Sequence, residues 1–264
     1  MDAPSDGELL AIQAEVAVDG RGRLAGVYGV TVVCAGDHCR ALIGAKVPDD
    51  LVAALTAALH GGGRSGRVGP PPGLDECQRL LEAGGRSLRD NAGLVYVITE
   101  EARFASSARI ERSDAPSGET LRDRNPGNWH AVEWDELLDG RLGPWAIAVE
   151  DEQVVSICHT ARRMTARAAE CGVWTRPGFR GRGHAAAVTS VWAEVLRPSG
   201  RHLFYSCDAD NLSSQAVTRR LGLRPVGSTW SLAAPGDGED EGLHPLSALR
   251  RRPQGDAERA AIDE

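Results

Sequence analysis

The stretch Val173-Trp174-Thr175-Arg176-Pro177-Gly178-Phe179-Arg180-Gly181-Arg182-Gly183-His184-Ala185 decides the fold of this 264-residue chain. It predicts a short apolar strand, a Pro/Gly turn, and a glycine-rich loop that runs directly into a helix. The helix is expected from Gly183 to Leu196, and Pro198 and Gly200 stop it. Its apolar residues have the spacing of one buried face: Val188, Val191, Trp192, Val195 and Leu196.

The loop at the start of this helix has the properties of an anion site. Gly181 and Gly183 let backbone N–H groups approach a ligand, because no Cβ stands in the way. A helix N-terminus carries partial positive charge and unpaired N–H donors, which suits a phosphate or pyrophosphate. Arg180 and Arg182 add cationic donors. The alternative is a basic, glycine-rich turn on a solvated surface, and the motif alone does not separate the two.

Two other phosphate-binding loops fit these residues less well. A P-loop requires a Gly-Lys-Ser/Thr sequence, which the chain lacks. In a dinucleotide fingerprint the third glycine position would hold Ala186, and the turn at Pro177 separates the strand from the loop. The chain also lacks a well-placed acid for the ribose. A dinucleotide-binding oxidoreductase is therefore a disfavoured alternative.

The residues after the helix predict a strand, a helix and a last strand. His202 to Cys207 is a short apolar and aromatic run typical of a strand. Asn211 is a good N-cap for a helix through Leu221, and Gly222 is expected to close that helix. Leu223 to Trp230 is typical of a final strand.

Two motifs in this region resemble a known superfamily. Arg180-x-x-Gly183-x-Ala185, preceded by a strand and a Pro turn, resembles the acyl-CoA-binding signature of the GNAT superfamily of N-acetyltransferases. Asn211-x-x-Ser214 followed by Leu221-Gly222 is similar to the second landmark of that superfamily. Order, spacing and element types agree from Trp145 to Trp230. The resemblance implies an α/β (α+β) fold, with a mixed, mostly antiparallel central sheet flanked by helices and a smaller N-terminal α/β region.

The resemblance also implies which residues hold acetyl-CoA, the co-substrate. In the superfamily the strand before the loop is splayed from its neighbour, and the pantetheine arm lies in the gap. The residues implied for the arm, through their backbone groups, are Val173, Trp174 and Thr175. Those implied for the pyrophosphate are Arg180, Gly181, Arg182, Gly183, His184 and Ala185. Asn211 and Ser214 are implied at the arm or the thioester, although a pure N-cap explains Asn211 equally well.

The implied reaction is direct attack of an amine on the thioester, which needs a base and a proton donor. Glu170, just before the central strand, is the candidate base, with a solvated strand-edge glutamate as the structural alternative and His159 as a rival base. Many members carry a proton-donating Tyr four residues before the glycine of the Leu-Gly pair, where this chain has Thr218. Either Tyr205 or a water is then the proton donor, or the thiolate leaves unprotonated. The departure also keeps open a catalytically silent acyl-CoA-binding module.

Composition limits the partners. The net charge of −7 argues against nucleic acid and weakly favours a cationic or amine-bearing substrate. The resemblance implies a small-molecule or peptide amine as the acceptor. The first twenty residues have no basic start and no long apolar core, so neither a signal peptide nor a membrane span is predicted. The six cysteines are interpreted as reduced thiols, and Cys34-x4-Cys39 as strand-end thiols and not half of a metal site. We expect a cytoplasmic enzyme without a metal, and homodimerisation is left open.

Three regions are predicted along the chain. Residues 1–100 form an N-terminal α/β region of unknown role, whose first twenty residues look poorly ordered or weakly helical. Residues 101–232 form the acyl-CoA-binding GNAT domain, in which Trp145 to Val149 and Val154 to His159 make a hairpin. Residues 233–264 are rich in Gly, Asp, Glu and Arg and are predicted to be a flexible tail.

Overall fold

The computed structural model describes residues 3–60, 69–116, 118–161 and 164–237, so most of the predicted tail lies outside the described residues. The strands are β1 (Gly29–Ala35), β2 (His38–Ile43), β3 (Arg89–Val97), β4 (Arg109–Arg112), β5 (Trp145–Glu150), β6 (Gln153–Thr160), β7 (Ala168–Thr175), β8 (His202–Asp208) and β9 (Arg224–Ala233). The α-helices are α1 (Asp6–Ala14), α2 (Asp49–His60), α3 (Leu74–Glu82), α4 (Ala131–Leu138), α5 (His184–Leu196) and α6 (Leu212–Leu221). None of these helices is long and apolar enough to span a bilayer.

The described strands form one mixed sheet in the order β2-β1-β9-β3-β8-β7-β6-β5-β4. β7 and β8 run parallel, whereas the other neighbouring strands within the described residues run antiparallel. The predicted mixed, mostly antiparallel sheet flanked by helices is therefore confirmed. β3 lies between β8 and β9, so residues on both sides of the predicted boundary at residue 100 share one sheet. The division into three regions stays a prediction.

The sheet buries both of its faces, because alternate side chains of a strand point to opposite sides. Ala169 and Cys171 of β7 pack in a cluster with residues of α5 and α6, and we call this side the α5/α6 face. Ala168 packs with residues of α1, and Trp145 of β5 packs with residues of α4; we call this side the α1/α4 face. β7 is thus covered on each side by a different pair of helices.

The elements predicted around the deciding stretch are confirmed. α5 starts after Gly183, whose φ of 89° is left-handed, and ends at Leu196. The N-cap of α6 is Asn211, whose side chain accepts a hydrogen bond from Ser214 N at 3.0 Å. The β5–β6 hairpin turns through two residues with positive φ, Asp151 and Glu152, which matches the twist of the strands.

The first twenty residues contain a packed helix. Ser5 and Glu8 form a reciprocal capping box at the start of α1, and Leu9 and Leu10 are buried against the sheet. Of the two alternatives expected for this segment, the helical one holds. The Ser5-x-x-Glu8 spacing is the signal in the sequence that identifies this helix.

The expectation of six reduced cysteines is wrong for two of them. Cys34 and Cys39 form a disulfide across the β1–β2 hairpin. The two-residue turn at Gly36 and Asp37 sets them opposite each other in the strand register, with their Cα atoms 4.2 Å apart. Strand pairing therefore supplies the proximity that the spacing of the cysteines did not reveal. The free cysteines of the described residues are buried: Cys77, Cys158, Cys171 and Cys207.

Candidate functional site

The gap between β7 and β8 is the centre of the candidate site. The parallel pairing of the two strands begins at Ala168 and His202 and ends at Cys171 and Tyr205. Beyond that pair β7 continues to Thr175 along β6, with no register partner in β8 among the described residues. The four residues from 172 to 175 are correspondingly half-buried, whereas the first four of β7 are buried. The splay that the resemblance implies is present in the structure.

Only alternate residues of β7 turn their peptide groups toward this gap. The even-numbered residues bond to β6 or the residue just after it: Ala161 N to Glu170 O at 2.9 Å, Ser156 Oγ to Trp174 O at 2.8 Å, and Arg176 N to Val155 O at 2.9 Å. Because peptide groups alternate in direction along a strand, those of Val173 and Thr175 face the gap. Among the three residues predicted for the arm, the structure directs the backbone of Trp174 to β6 instead.

The glycine loop places backbone N–H groups at the end of the gap. Gly181 and Gly183 both have left-handed φ angles, 82° and 89°. The first helical bond of this segment runs from Ala187 N to Gly183 O at 3.1 Å, so the N–H groups ahead of Ala187 precede the helix ladder. A Cβ on Gly183 would lie 2.7 Å from the ring of Phe104, a second reason for glycine at this position. The geometry is that of an anion site at a helix N-terminus.

The charged side chains of the loop are partly occupied by protein partners. Arg182 donates from Nη1 to Glu150 Oε1 at 2.8 Å, and its guanidinium lies 4.7 Å from the ring centroid of Phe179. His184 is buried; its Nδ1 lies 2.9 Å from Ser106 Oγ and its Nε2 lies 3.1 Å from Glu150 Oε2. Glu150 therefore supports the loop from the end of β5.

Two arginines remain at the surface of the loop. Arg180 is exposed and donates from Nε to Thr175 O at 3.4 Å. Arg220 of α6 is also exposed and donates from Nη2 to Gly181 O at 3.1 Å, which ties α6 to the loop. The sequence reasoning did not find Arg220 or Glu150, because neither belongs to the loop motif.

Tyr205 occupies the point where the strands part, on the α5/α6 face. It is buried and its hydroxyl is hydrogen-bonded to Ser214 in the first turn of α6. Burial raises the pKa of Tyr205 far above its usual value, because the phenolate would lose its hydration. Thr218, at the position where relatives were expected to carry a Tyr, donates its hydroxyl to Gln215 O at 2.9 Å. Tyr205 is therefore the phenol next to the gap, whereas the hydroxyl of Thr218 bonds within its own helix.

Glu170 lies on the opposite side of β7, on the α1/α4 face. Its register partner is Phe204, one step before the strands part, and its side chain is 6% exposed. Gln13 of α1 donates from Nε2 to Glu170 Oε2 at 3.0 Å. The alternative of a solvated strand-edge glutamate is therefore wrong. No pattern in the sequence indicates that α1 reaches this carboxylate.

His159 lies on the same face as Glu170. The two flank Gly172, which is the register partner of His159 in β6 and follows Glu170 by two residues in β7. His159 is fully buried; its Nδ1 donates to Thr160 O at 3.0 Å and its ring meets Trp129 edge-on at 5.3 Å between centroids. A Cβ on Gly172 would lie 3.0 Å from His159 Nε2. The two rival bases are thus neighbours around a position without a side chain.

Comparison with known proteins supports one family. The model of the acetyltransferase (GNAT) domain family matches residues 88–224, slightly more than half of the chain. No curated protein sequence is significantly similar to the chain.

Several solved structures are similar in fold. A GNAT-family protein from Novosphingobium aromaticivorans is 21% identical, with 88% of this chain and 97% of that chain covered and a TM-score of 0.46. A GCN5-related N-acetyltransferase from Kribbella flavida is 16% identical, with 90% and 98% covered and a TM-score of 0.46. An acetyltransferase from the GNAT family of Colwellia psychrerythraea is 12% identical, with 89% and 98% covered and the same TM-score. On the strength of the family match, this chain belongs to the GNAT acetyltransferase family.

Proposed function

We propose that this chain transfers the acetyl group of acetyl-CoA to an amine by direct attack in a ternary complex. The observation that carries the proposal is the end of the β7–β8 pairing at Cys171 and Tyr205. A gap opens there between a buried carboxylate, Glu170, and a buried phenol, Tyr205, and it leads to the N–H groups of the glycine loop. Family membership supports acetyl-CoA as the donor.

In this proposal the α5/α6 face and the gap hold the coenzyme. The gap-facing peptide groups of Val173 and Thr175 bond the pantetheine arm, and the N–H groups from Gly181 to Ala185 bond the pyrophosphate. Arg180 and Arg220, both exposed at the loop, add positive charge near the phosphates. Arg182 and His184 contact Glu150, and through this contact they fix the conformation of the loop. Asn211 and Ser214 position the first turn of α6 beside the thioester.

The chemistry takes place at the point where the strands part. Glu170 accepts a proton from the acceptor's ammonium group, and the freed lone pair attacks the thioester carbon. The C–N bond forms and the carbonyl becomes an oxyanion, which the N–H group of Val173 stabilises while its C=O group and Thr175 bond the arm. The C–S bond then breaks, the thiolate takes a proton from Tyr205, and the nitrogen loses its second proton to solvent. Exchange with solvent then deprotonates Glu170 and reprotonates Tyr205.

Burial has two effects on Tyr205 as a proton donor. It raises the pKa of the phenol, so the proton is present at the start of every turnover, but it also makes the phenol a weaker acid. The departing thiol has an ordinary pKa of about 8.5, so it needs only modest assistance. We therefore assign to Tyr205 the role of the tyrosine that many relatives carry at the position of Thr218.

The competing function is a catalytically silent acyl-CoA-binding module. It is favoured by the hydroxyl of Thr218, which is bonded to the backbone and is a weak acid. Incubating the protein with acetyl-CoA and a panel of small-molecule and peptide amines, with free thiol and acetylated product measured together, separates the two. We expect thiol release that depends on the amine. Binding of CoA without release for any amine would support the silent module.

The acceptor is proposed to be a small-molecule or peptide amine and not a nucleic acid. A cytoplasmic location and a homodimer stay predictions from the sequence. Neither the location nor the homodimer enters the mechanism above.

A further inference from the structure

Ser206 stands directly beyond the point where β7 and β8 separate. The last register pair is Cys171 and Tyr205, so Gly172 is the first residue of β7 and Ser206 the first of β8 to border the gap. Had the pairing continued by one step, Gly172 and Ser206 would have been opposite each other. Neither residue was a candidate from the sequence.

The side chain of Ser206 points to the α1/α4 face. Phe204, two residues earlier in β8, packs in the cluster that contains α1, whereas Tyr205 and Cys207 pack in the cluster with α5 and α6. Alternation along the strand therefore puts Ser206 on the side of Phe204. This is the side on which Glu170 and Gly172 lie, opposite Tyr205.

The hydroxyl of Ser206 is buried and has no hydrogen-bond partner among the described residues. Other serines around the site are bonded: Ser106 to His184, Ser156 to Trp174 O, and Ser190 to Ala102 O. Because buried hydroxyls in folded proteins nearly always have a partner, this hydroxyl is free to bind a group that enters the gap.

Across the gap from Ser206, Gly172 contributes no side chain. A Cβ placed there would lie 3.0 Å from both His159 Nε2 and Ala161 Cβ, so any larger residue at this position would have to displace one of these neighbours.

We propose that Ser206 is a residue of the acceptor site, where its hydroxyl accepts a hydrogen bond from the acceptor's ammonium group. The inference rests on the proposed function and adds a residue that positions its substrate. A primary ammonium has three N–H groups. Glu170 takes the proton of one, Ser206 Oγ accepts a hydrogen bond from the second, and the lone pair left behind points into the gap.

The test compares Ser206→Ala with Ser213→Ala, an exposed serine on α6, as the matched control. Each is assayed with a primary amine that the wild-type enzyme acetylates, and CoA affinity is measured by calorimetry. We expect Ser206→Ala to lower kcat/KM for this amine about tenfold or more, since it removes a hydrogen bond to a charged group. The CoA affinity of Ser206→Ala and the kinetics of Ser213→Ala should equal those of wild type.

Four outcomes count against the inference. An unchanged kcat/KM in Ser206→Ala would refute it while the proposed function stands, and so would weaker CoA binding with an unchanged amine KM, which would assign Ser206 to the coenzyme. If wild type releases no thiol with any amine, the proposed function itself fails. Gly172→Ala is the second variant, since it adds a Cβ across the gap from Ser206. We expect lower kcat/KM for the amine with CoA affinity retained, and unchanged amine kinetics would also contradict the inference.

Discussion

The two faces of the sheet at β7 differ in how far apart in the sequence their candidate site residues lie. On the α5/α6 face the gap, the loop, Tyr205 and Ser214 all come from consecutive elements between β7 and α6. On the α1/α4 face the carboxylate of Glu170 is held by Gln13, 157 residues away, and His159 is covered by Trp129. A site built from neighbouring elements leaves a readable motif, whereas a site assembled by packing does not.

The difference has a chemical counterpart. The α5/α6 side uses main-chain N–H groups and glycines, which in the proposed function bind a constant coenzyme. The α1/α4 side uses side chains from separate elements, which is where a variable acceptor would be recognised. Selective damage to one side should therefore leave the other side's ligand unaffected.

The largest expected effect is that of Glu170→Gln. Removing the base should lower kcat by about 10²- to 10⁴-fold, while CoA affinity stays the same because the residue faces away from α5 and α6. The glutamine keeps the size of the side chain and its contact with Gln13. Steady-state kinetics and calorimetry measure the two quantities. Glu100→Gln, an exposed glutamate after β3, is the control; a loss of CoA affinity in Glu170→Gln would break the separation of the two faces.

The next effect is expected from Tyr205→Phe. We expect kcat to fall about tenfold to 100-fold, less than for Glu170→Gln because a thiolate leaves readily without a proton. Thr218→Val is the control, because its hydroxyl only caps a backbone carbonyl of its own helix. If Thr218→Val were the slower enzyme, the assignment of the proton donor would be reversed.

Gly183→Ala should weaken CoA binding about tenfold or more, through strain at a φ of 89° and a Cβ 2.7 Å from Phe104. Gly178→Ala lies in the same turn region and has open space around its added Cβ, so it is the matched control. Titration calorimetry with CoA measures both variants. Equal affinities for the two would show that the loop conformation does not set coenzyme binding.

Alkaline pH should destabilise the α5/α6 face. Burial raises the pKa of Cys171, Tyr205 and Cys207, all in the cluster under α5 and α6. The unfolded chain loses these protons first, the thiols from about pH 8.5 and the phenol from about pH 10, so the folded state binds more protons there. The stabilisation that these groups contribute is therefore fully present below about pH 8.5. Above that pH the free energy of unfolding falls, by about 1 kcal/mol or more.

Urea unfolding across this pH range tests the point. Tyr205→Phe should flatten the part of the curve above about pH 10, because the group that ionises in the unfolded chain is gone. A free energy that stays level, or rises, from about pH 8.5 to pH 10 would contradict the account.

The smallest effect is expected from Glu150→Gln. Its carboxylate holds Arg182 and lies beside His184, so the charge change should loosen the loop and weaken CoA binding about twofold to fivefold at unchanged kcat. Glu152→Gln, two residues along in the exposed hairpin turn, is the control. A larger drop in kcat than in CoA affinity would place Glu150 in the chemistry and not in the support of the loop.

The sequence by itself determined the half of the site that is local. The run from Val173 to Ala185 specified a strand, a left-handed glycine turn and a helix N-terminus, because φ preferences and helix capping act over a few residues. Asn211 and Gly222 fixed the ends of α6 for the same reason. The mixed sheet followed from the family that these motifs resemble.

Tertiary structure alone decided the other half. The sequence proposed Glu170 as a candidate base at the central strand, but only the packing of α1 shows that it is buried and bonded to Gln13. Ser206 and Gly172 gained meaning only when strand register set them across the gap, and Cys34 met Cys39 only through the hairpin. Contacts between distant segments depend on which helices pack on each face of the sheet, and no local pattern of residues encodes this packing.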